Sequence, residues 1–400
     1  MPAEPLYRYQ SSLEGILDFL TRPPLSVVQY QAAARKFAEL IDHFDQGTNQ
    51  KPRDKRYDRV TLVRLTYEYA RTEESKGNFL RAFFESAGTP VDDNLNAHPI
   101  DLSNPNTEAA LRDSIHNFAD YLFENFFLPL KASARKTPQP SPASHSAVLS
   151  ILQEPHTFLG TPDRVAALRG ACLIRDHHRC VITRLFDCEE AEKRINSSRL
   201  QGIVALDDEG NPFTPGNKYD LLQVAHILPH SLTQLSANND LNNSKAAALA
   251  ILNMFDHGAA HLIEGTDIDR PGNAITVTIF MRQWFGNFKV FFEPVEQQAH
   301  TYRIDTFSPM ILGDVLPVTR TLYLTESRTI DPPSPRLLAI HKAIAHILHL
   351  SAAGAYIDKI LRDLEDQSVR EDGSSELDLL VKLKLQLQGW PAGQAAEGRS

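Results

Sequence analysis

The residues best suited to chemistry lie in the middle of the chain. Val224-Ala-His-Ile-Leu-Pro229 places His226 at the end of an apolar run, and Gly265-Thr-Asp-Ile-Asp-Arg-Pro-Gly-Asn273 places Asp267, Asp269 and Asn273 just before a second one. An imidazole exchanges a proton near neutral pH, and carboxylates hold hard cations such as Mg²⁺, which prefers oxygen ligands and keeps several waters. Glu264, His230, His257 and His261 are further oxygen and nitrogen donors in the same stretch. Between Arg164 and Arg184 stand five arginines (164, 169, 175, 179, 184) against one acid, Asp176, a local charge of 5 − 1 = +4 that suits a phosphate-facing patch. A shorter basic cluster joins Lys51, Arg53, Lys55 and Arg56.

Other candidates read as structural. Cys172, Cys180 and Cys188 recur every eight residues, a spacing of no zinc motif. Cys180 has no CxxC partner and reads as a small buried side chain. His341, His346 and His349 share one helical segment and read as surface residues, and Asp207-Asp-Glu-Gly210 lacks the ligand ladder of a calcium loop. The chain contains no GxxxxGK[ST], GxGxxG, HExxH or GxSxG.

These residues need a scaffold, and the composition is that of a folding chain. With 400 residues, 42% hydrophobic and 23% charged, two to three domains are expected, and wholesale disorder or a fibre is excluded. The net charge of 41 − 50 = −9 opposes that of a non-specific DNA binder, so any nucleic-acid contact is local. Few cysteines and no secretory signal or spanning apolar run point to a nuclear or cytoplasmic protein.

The periodicity predicts a helical domain over 1–130. Ser26 and Gln29 form a capping box ahead of Tyr30, Ala33, Phe37, Leu40, Ile41 and Phe44. Leu111, Ile115, Phe118, Leu122 and Phe126 make one apolar stripe that Pro129 should close. A Pro/Ser-rich linker is expected over 131–150, then an α+β domain over 151–312. Within it the pattern predicts helices near 165–174 and 245–255 and strands near 221–227, 274–280 and 287–292. After Pro332, Pro333 and Pro335 comes one long helix through Ile360 to Leu364, within an extension spanning 313–366, and an acidic, flexible tail over 367–400.

The runs ALRGACLIRDHHRCVITR, AHILP, LIEGTDIDRPGNAITVT, WFGNFKVFFEPV and HTYRID together resemble the HNH endonuclease-like domain found in many fungal proteins. The likeness covers roughly 160–310, and Ser334 to Asp363 resembles the carboxyl-terminal helix of those proteins. It implies an α+β fold of the ββα-metal kind with a docked carboxyl-terminal helix, following the helical amino-terminal domain that the periodicity predicts. It also implies phosphodiester hydrolysis with one divalent metal, Mg²⁺ or Zn²⁺, in which His226 is the general base on water and Asn273 organises the loop. A working-pH imidazole fits that role.

The sequence departs from the family at its metal ligands. The position nine residues after Asn273, where the family has its final metal-binding His, holds Arg282, which has no lone pair to offer. The residue before His226, a ligand in some members, is Ala225. Three readings stay open. Asp267 and Asp269 hold the metal instead, or Arg282 clamps a phosphate beside His226, or the scaffold serves other chemistry. The third reading covers a biosynthetic step on a small hydrophobic metabolite, with Trp284, Phe285 and Phe288 about the pocket, and a non-catalytic binding module.

Overall fold

The computed structural model describes residues 23–45, 56–91, 102–134, 161–229, 232, 243–325 and 329–365. In chain order the helices are α1 (Val27–Asp45), α2 (Arg59–Glu68), α3 (Glu73–Ser86), α4 (Pro105–Leu122), α5 (Leu128–Ala134), α6 (Thr161–Arg175), α7 (Cys188–Gln201), α8 (Asn243–Phe255), α9 (Ile279–Gly286), α10 (Pro309–Leu312), α11 (Pro335–Leu350) and α12 (Ala353–Glu365). The strands are β1 (Phe186–Asp187), β2 (Tyr219–Asp220), β3 (Leu222–His226), β4 (Ala274–Thr278), β5 (Val290–Pro294), β6 (Thr301–Thr306) and β7 (Val318–Thr321). The contacts divide the chain into two compact units, an α-helical one and an α+β one. Among the described residues no single helix is long and apolar enough to cross a membrane.

The helical unit contains 23–133, 243–260 and 346–365 of the described residues, so it draws on chain well beyond residue 130. The expected capping box is formed: the Ser26 amide donates to Gln29 Oε1 at 3.0 Å and the Gln29 amide to Ser26 Oγ at 3.3 Å. Asp58, Thr72 and Asn104 cap α2, α3 and α4, each side chain accepting from a backbone amide of the first turn. The aromatic stripe is core: Phe37 meets Phe79 and Phe83 edge-on at 5.5 and 5.0 Å, and Phe126 stacks on Phe255 of α8 at 5.4 Å.

Two sequence expectations fail in this unit. The helix does not stop at Pro129. A π-helical turn at Phe123–Phe127, in which the Leu128 amide reaches back to the Phe123 carbonyl, relieves the bonding and steric conflict of the proline. The chain stays helical to Ala134, burying Phe126, Phe127 and Leu130. The single long helix after Pro335 is instead two, bent by 81°. At the break Ser351 turns its hydroxyl to the Ile347 carbonyl and Ala352 takes a positive φ of 59°.

In the α+β unit β3 and β4 pair antiparallel, with Leu222 opposite Thr278 and His226 opposite Ala274. Helix α6 packs on both strands, burying Leu168 and Cys172 against Val224 and Ala274. Helix α9 follows β4 directly, capped by Thr278, and packs back on β3. Strands β5, β6 and β7 form a separate antiparallel sheet. The expected strands and helices of this region are present, with β4 ending at Thr278 because Ile279 already begins α9.

Candidate functional site

The loop before β4 is wound into two 3₁₀ turns, Gly265–Asp269 and Pro271–Asn273, and Asn273 ties it to the end of β3. Its side chain is buried. Nδ2 donates to the carbonyls of Leu228 and Ile268, both at 3.0 Å, while Oδ1 accepts from the Leu228 amide at 2.9 Å. The Asn273 carbonyl also accepts from the Ile227 amide at 2.8 Å. One side chain therefore fixes the residue two after His226 and the residue just before Asp269.

A buried ion pair supports the same loop. Arg175 and Asp176, both 0% exposed, pair at 2.8 Å. The guanidinium donates to the carbonyls of Pro271, Ala274 and Asp331, and Asp176 accepts from the Thr276 amide of β4. Such a pair is stable only when its remaining hydrogen bonds are made, and here the backbone makes them.

This framework brings His226 and Asp269 together. His226 Nε2 lies 3.1 Å from Asp269 Oδ1, and the two side chains are 4% and 2% exposed. Asp269 Oδ2 in turn accepts from Arg164 Nε of α6 at 3.3 Å. The chain of groups is guanidinium, carboxylate, imidazole. The carboxylate selects the His226 tautomer with its proton on Nε2, which places the lone pair on Nδ1.

Arg282 lies on α9 and donates to Gln223 Oε1 at 3.2 Å. Gln223 and His226 alternate on β3, so their side chains leave opposite faces of the strand, His226 toward α6 and Gln223 toward α9. Arg282 and His226 nevertheless line one pocket at the strand end, with Ala225, Ile227, Pro229, Gly286, Phe288 and His341. Burial lowers the Arg282 guanidinium from its ordinary value. Among the aromatics expected about the pocket, Phe288 lines it directly, while Phe285 is buried behind His341.

Among the described residues the donor set does not fit the metal expected from the family. Asp269 is engaged by His226 and Arg164, and Asp267 pairs with Arg270 at 2.8 Å. Glu264 and His261 form an exposed pair, and His257 belongs to the helical unit, where it meets Glu74. His230 lies outside the described residues. Among the described residues no group of three His, Cys, Asp or Glu is placed to hold a metal ion.

The basic run Arg164–Arg184 is spent internally, which corrects its reading as an open phosphate-facing patch. Arg164 binds Asp269 and Arg175 is wholly buried. Arg169 donates to the Leu222 carbonyl, Arg179 pairs with Asp207 at 2.6 Å, and Arg184 donates to the Thr321 carbonyl while covering the Tyr323 ring. Of the second cluster only Arg56 is described. Cys180 is buried, and its Sγ accepts from the Thr183 amide.

Sequence reading missed four residues. Arg164 and the Arg175–Asp176 pair were absorbed into the charge run. His341, read as a helix-surface residue, is wholly buried. The signal was its place on the apolar stripe Leu337, His341, Ile344, Leu348.

Residues 180–293 match the family described as HNH endonuclease, and this stretch is an HNH-like domain. It contains β3, the Asn273 loop, β4 and α9. No curated protein and no solved structure matches the chain.

Proposed function

We propose that the HNH-like domain hydrolyses phosphodiester bonds of a nucleic acid, with His226 as general base. The observation that carries this reading is the Arg164–Asp269–His226 chain of contacts ending at a pocket that Arg282 also lines. Asp269 holds the imidazole in the tautomer whose Nδ1 takes a proton from water. The water oxygen bonds to phosphorus as its proton passes to Nδ1, the P–O bond to the leaving sugar oxygen breaks, and that oxygen takes a proton from solvent. The imidazolium, stabilised by the carboxylate beside it, then returns its proton to solvent. Arg282 binds the phosphate and offsets the charge that grows on its oxygens, as a guanidinium does bidentately. Asn273 keeps base and carboxylate in register. No step passes through a metal, because the described donors do not converge on one.

The test is nicking of supercoiled plasmid and cleavage of single-stranded RNA by the full chain, with and without a chelator. Wild type is expected to cut in both conditions. His226→Ala should lose about 10²- to 10⁴-fold in rate, the usual contribution of a general base. Arg282→Ala should raise KM and lower kcat together. Equal cutting by His226→Ala rejects the base, and abolition by the chelator rejects Arg282 as the cation that serves the phosphate.

A further inference from the structure

His341 is a polar side chain in an apolar setting. Phe285 stacks on its ring at a centroid distance of 3.9 Å and 7°, and Phe288 at 4.6 Å and 25°. Two rings that close cannot share one face, so they cover both. Nε2 lies 3.1 Å from the Phe285 carbonyl, which can only accept, so Nε2 carries the proton. The ring edge turned away from that carbonyl carries Nδ1, and His341 lines the same pocket as His226 and Arg282. Nδ1 is buried and has no hydrogen-bond partner among the described residues. Burial also pushes this imidazole down to about 3, partly offset by its bond to the Phe285 carbonyl, so it stays neutral at physiological pH.

The sequence around the ring is costly in a second way. Phe288, the residue that covers one face, sits in the left-handed region at φ 57°, a conformation bulky residues rarely adopt. Such outliers persist only where the surroundings hold them, and they cluster at sites of function. Here the strained backbone presents the Phe288 ring to His341.

We propose that His341 is a second histidine of the pocket, a fixed neutral acceptor whose Nδ1 holds a water molecule beside His226. A buried lone pair with no partner is unfavourable, and proteins satisfy such groups with ordered water in polar pockets. Arg282, whose guanidinium donates to Gln223, supplies polar lining to the same pocket. That this water is the attacking one rests on the phosphodiester reading above. The water subsite itself rests only on the pocket and the ring.

Two variants separate the functions of the ring. His341→Gln keeps an amide donor for the Phe285 carbonyl and removes the acceptor at Nδ1. His341→Asn places an amide oxygen where Nδ1 stood. In the full chain labelled with ¹⁵N-histidine, His341 is expected as the Nε2–H tautomer. Its Nδ1 resonance should be displaced as in a hydrogen-bonded imidazole, with magnetisation transfer from water to the ring proton on Cε1. An unbonded Nδ1 resonance without water transfer, or the opposite tautomer, overturns the proposal. If wild type cuts nucleic acid, His341→Gln should lower kcat about a hundredfold, as for a misplaced reactant, and leave KM within about twofold. His341→Asn should recover part of that loss. A His341→Gln rate equal to wild type overturns the assignment of this water to the attack. If wild type cuts nothing, the phosphodiester reading fails and the spectra still decide the subsite.

Discussion

Removing the Asn273 side chain should unfasten the site and the domain together. Three buried hydrogen bonds end on it, at 2.9, 3.0 and 3.0 Å, and Asn273→Ala leaves the Leu228 amide and the carbonyls of Leu228 and Ile268 without those partners. A buried polar group stripped of its partner costs about 1–3 kcal/mol. The carbonyls keep a second lone pair, so the low end applies and the total is about 3 kcal/mol. With a urea slope of about 1–3 kcal/mol/M the midpoint should fall by about 1–3 M. Trp284 reports on this unit if the second tryptophan, Trp390, is replaced by Phe. Asn273→Asp sharpens the test. It keeps an oxygen for the Leu228 amide but turns the Nδ2 donor into an oxygen facing two carbonyls, so it should be at least as damaging as Ala. A loss below about 1 kcal/mol for Ala, or wild-type stability for Asp, refutes the view that these bonds hold the loop.

Other perturbations follow from the same geometry. Arg175→Met leaves the Asp176 carboxylate buried and unpaired and should cost about 3–5 kcal/mol in urea unfolding; a cost near zero means the pair is dispensable. His341 has its folded value pushed below its unfolded one, to about 3 from 6.5, so unfolding takes up a proton. The stability it contributes is therefore present above pH 6.5 and lost as pH falls toward 3, by up to about 1.4 kcal/mol per pH unit. His341→Gln should remove that slope, and parallel pH curves for the two proteins would refute the buried neutral ring. Burial raises the Asp208 carboxyl, but hydrogen bonds and charge from His178 and Arg194 outweigh it and hold it at about 2. The stability it contributes is present above pH 3.8 and lost between 3.8 and 2, which Asp208→Asn should abolish in an acid titration followed by circular dichroism.

What the sequence disclosed was local. Ser26 and Gln29 lie three apart and satisfy each other's end of α1 with no help from the rest of the fold, so their pairing was legible. The strand and helix types around His226 and Asn273 were legible for the same reason, since alternation and helical spacing are written in neighbouring residues. Pro129 and Ser351 mark where that reading ends. Each position carries a local rule, but burial of Phe126 and Phe127 overrides the first, and the apolar spacing on both sides of Ser351 conceals the second. Charge fared worst. A run of five arginines has the same composition whether it faces a phosphate or the interior, and only the tertiary fold turns Arg164 to Asp269 and buries Arg175 beneath the Asn273 loop. Asp269 shows the same loss of information. As a count it was a metal ligand, but its two oxygens contact His226 and Arg164, and the proposed reading gives it the task of orienting an imidazole. The chemistry assigned to this site therefore depends on the directions of its charged groups, and a test that changes direction while keeping charge, such as Asp269→Glu, should separate it from chemistry that depends on charge alone. The longer side chain keeps the carboxylate but cannot keep both the 3.1 and 3.3 Å contacts, so it should slow cleavage about as much as Asp269→Asn; near wild-type cleavage by the Glu variant would mean that orientation is not what Asp269 supplies.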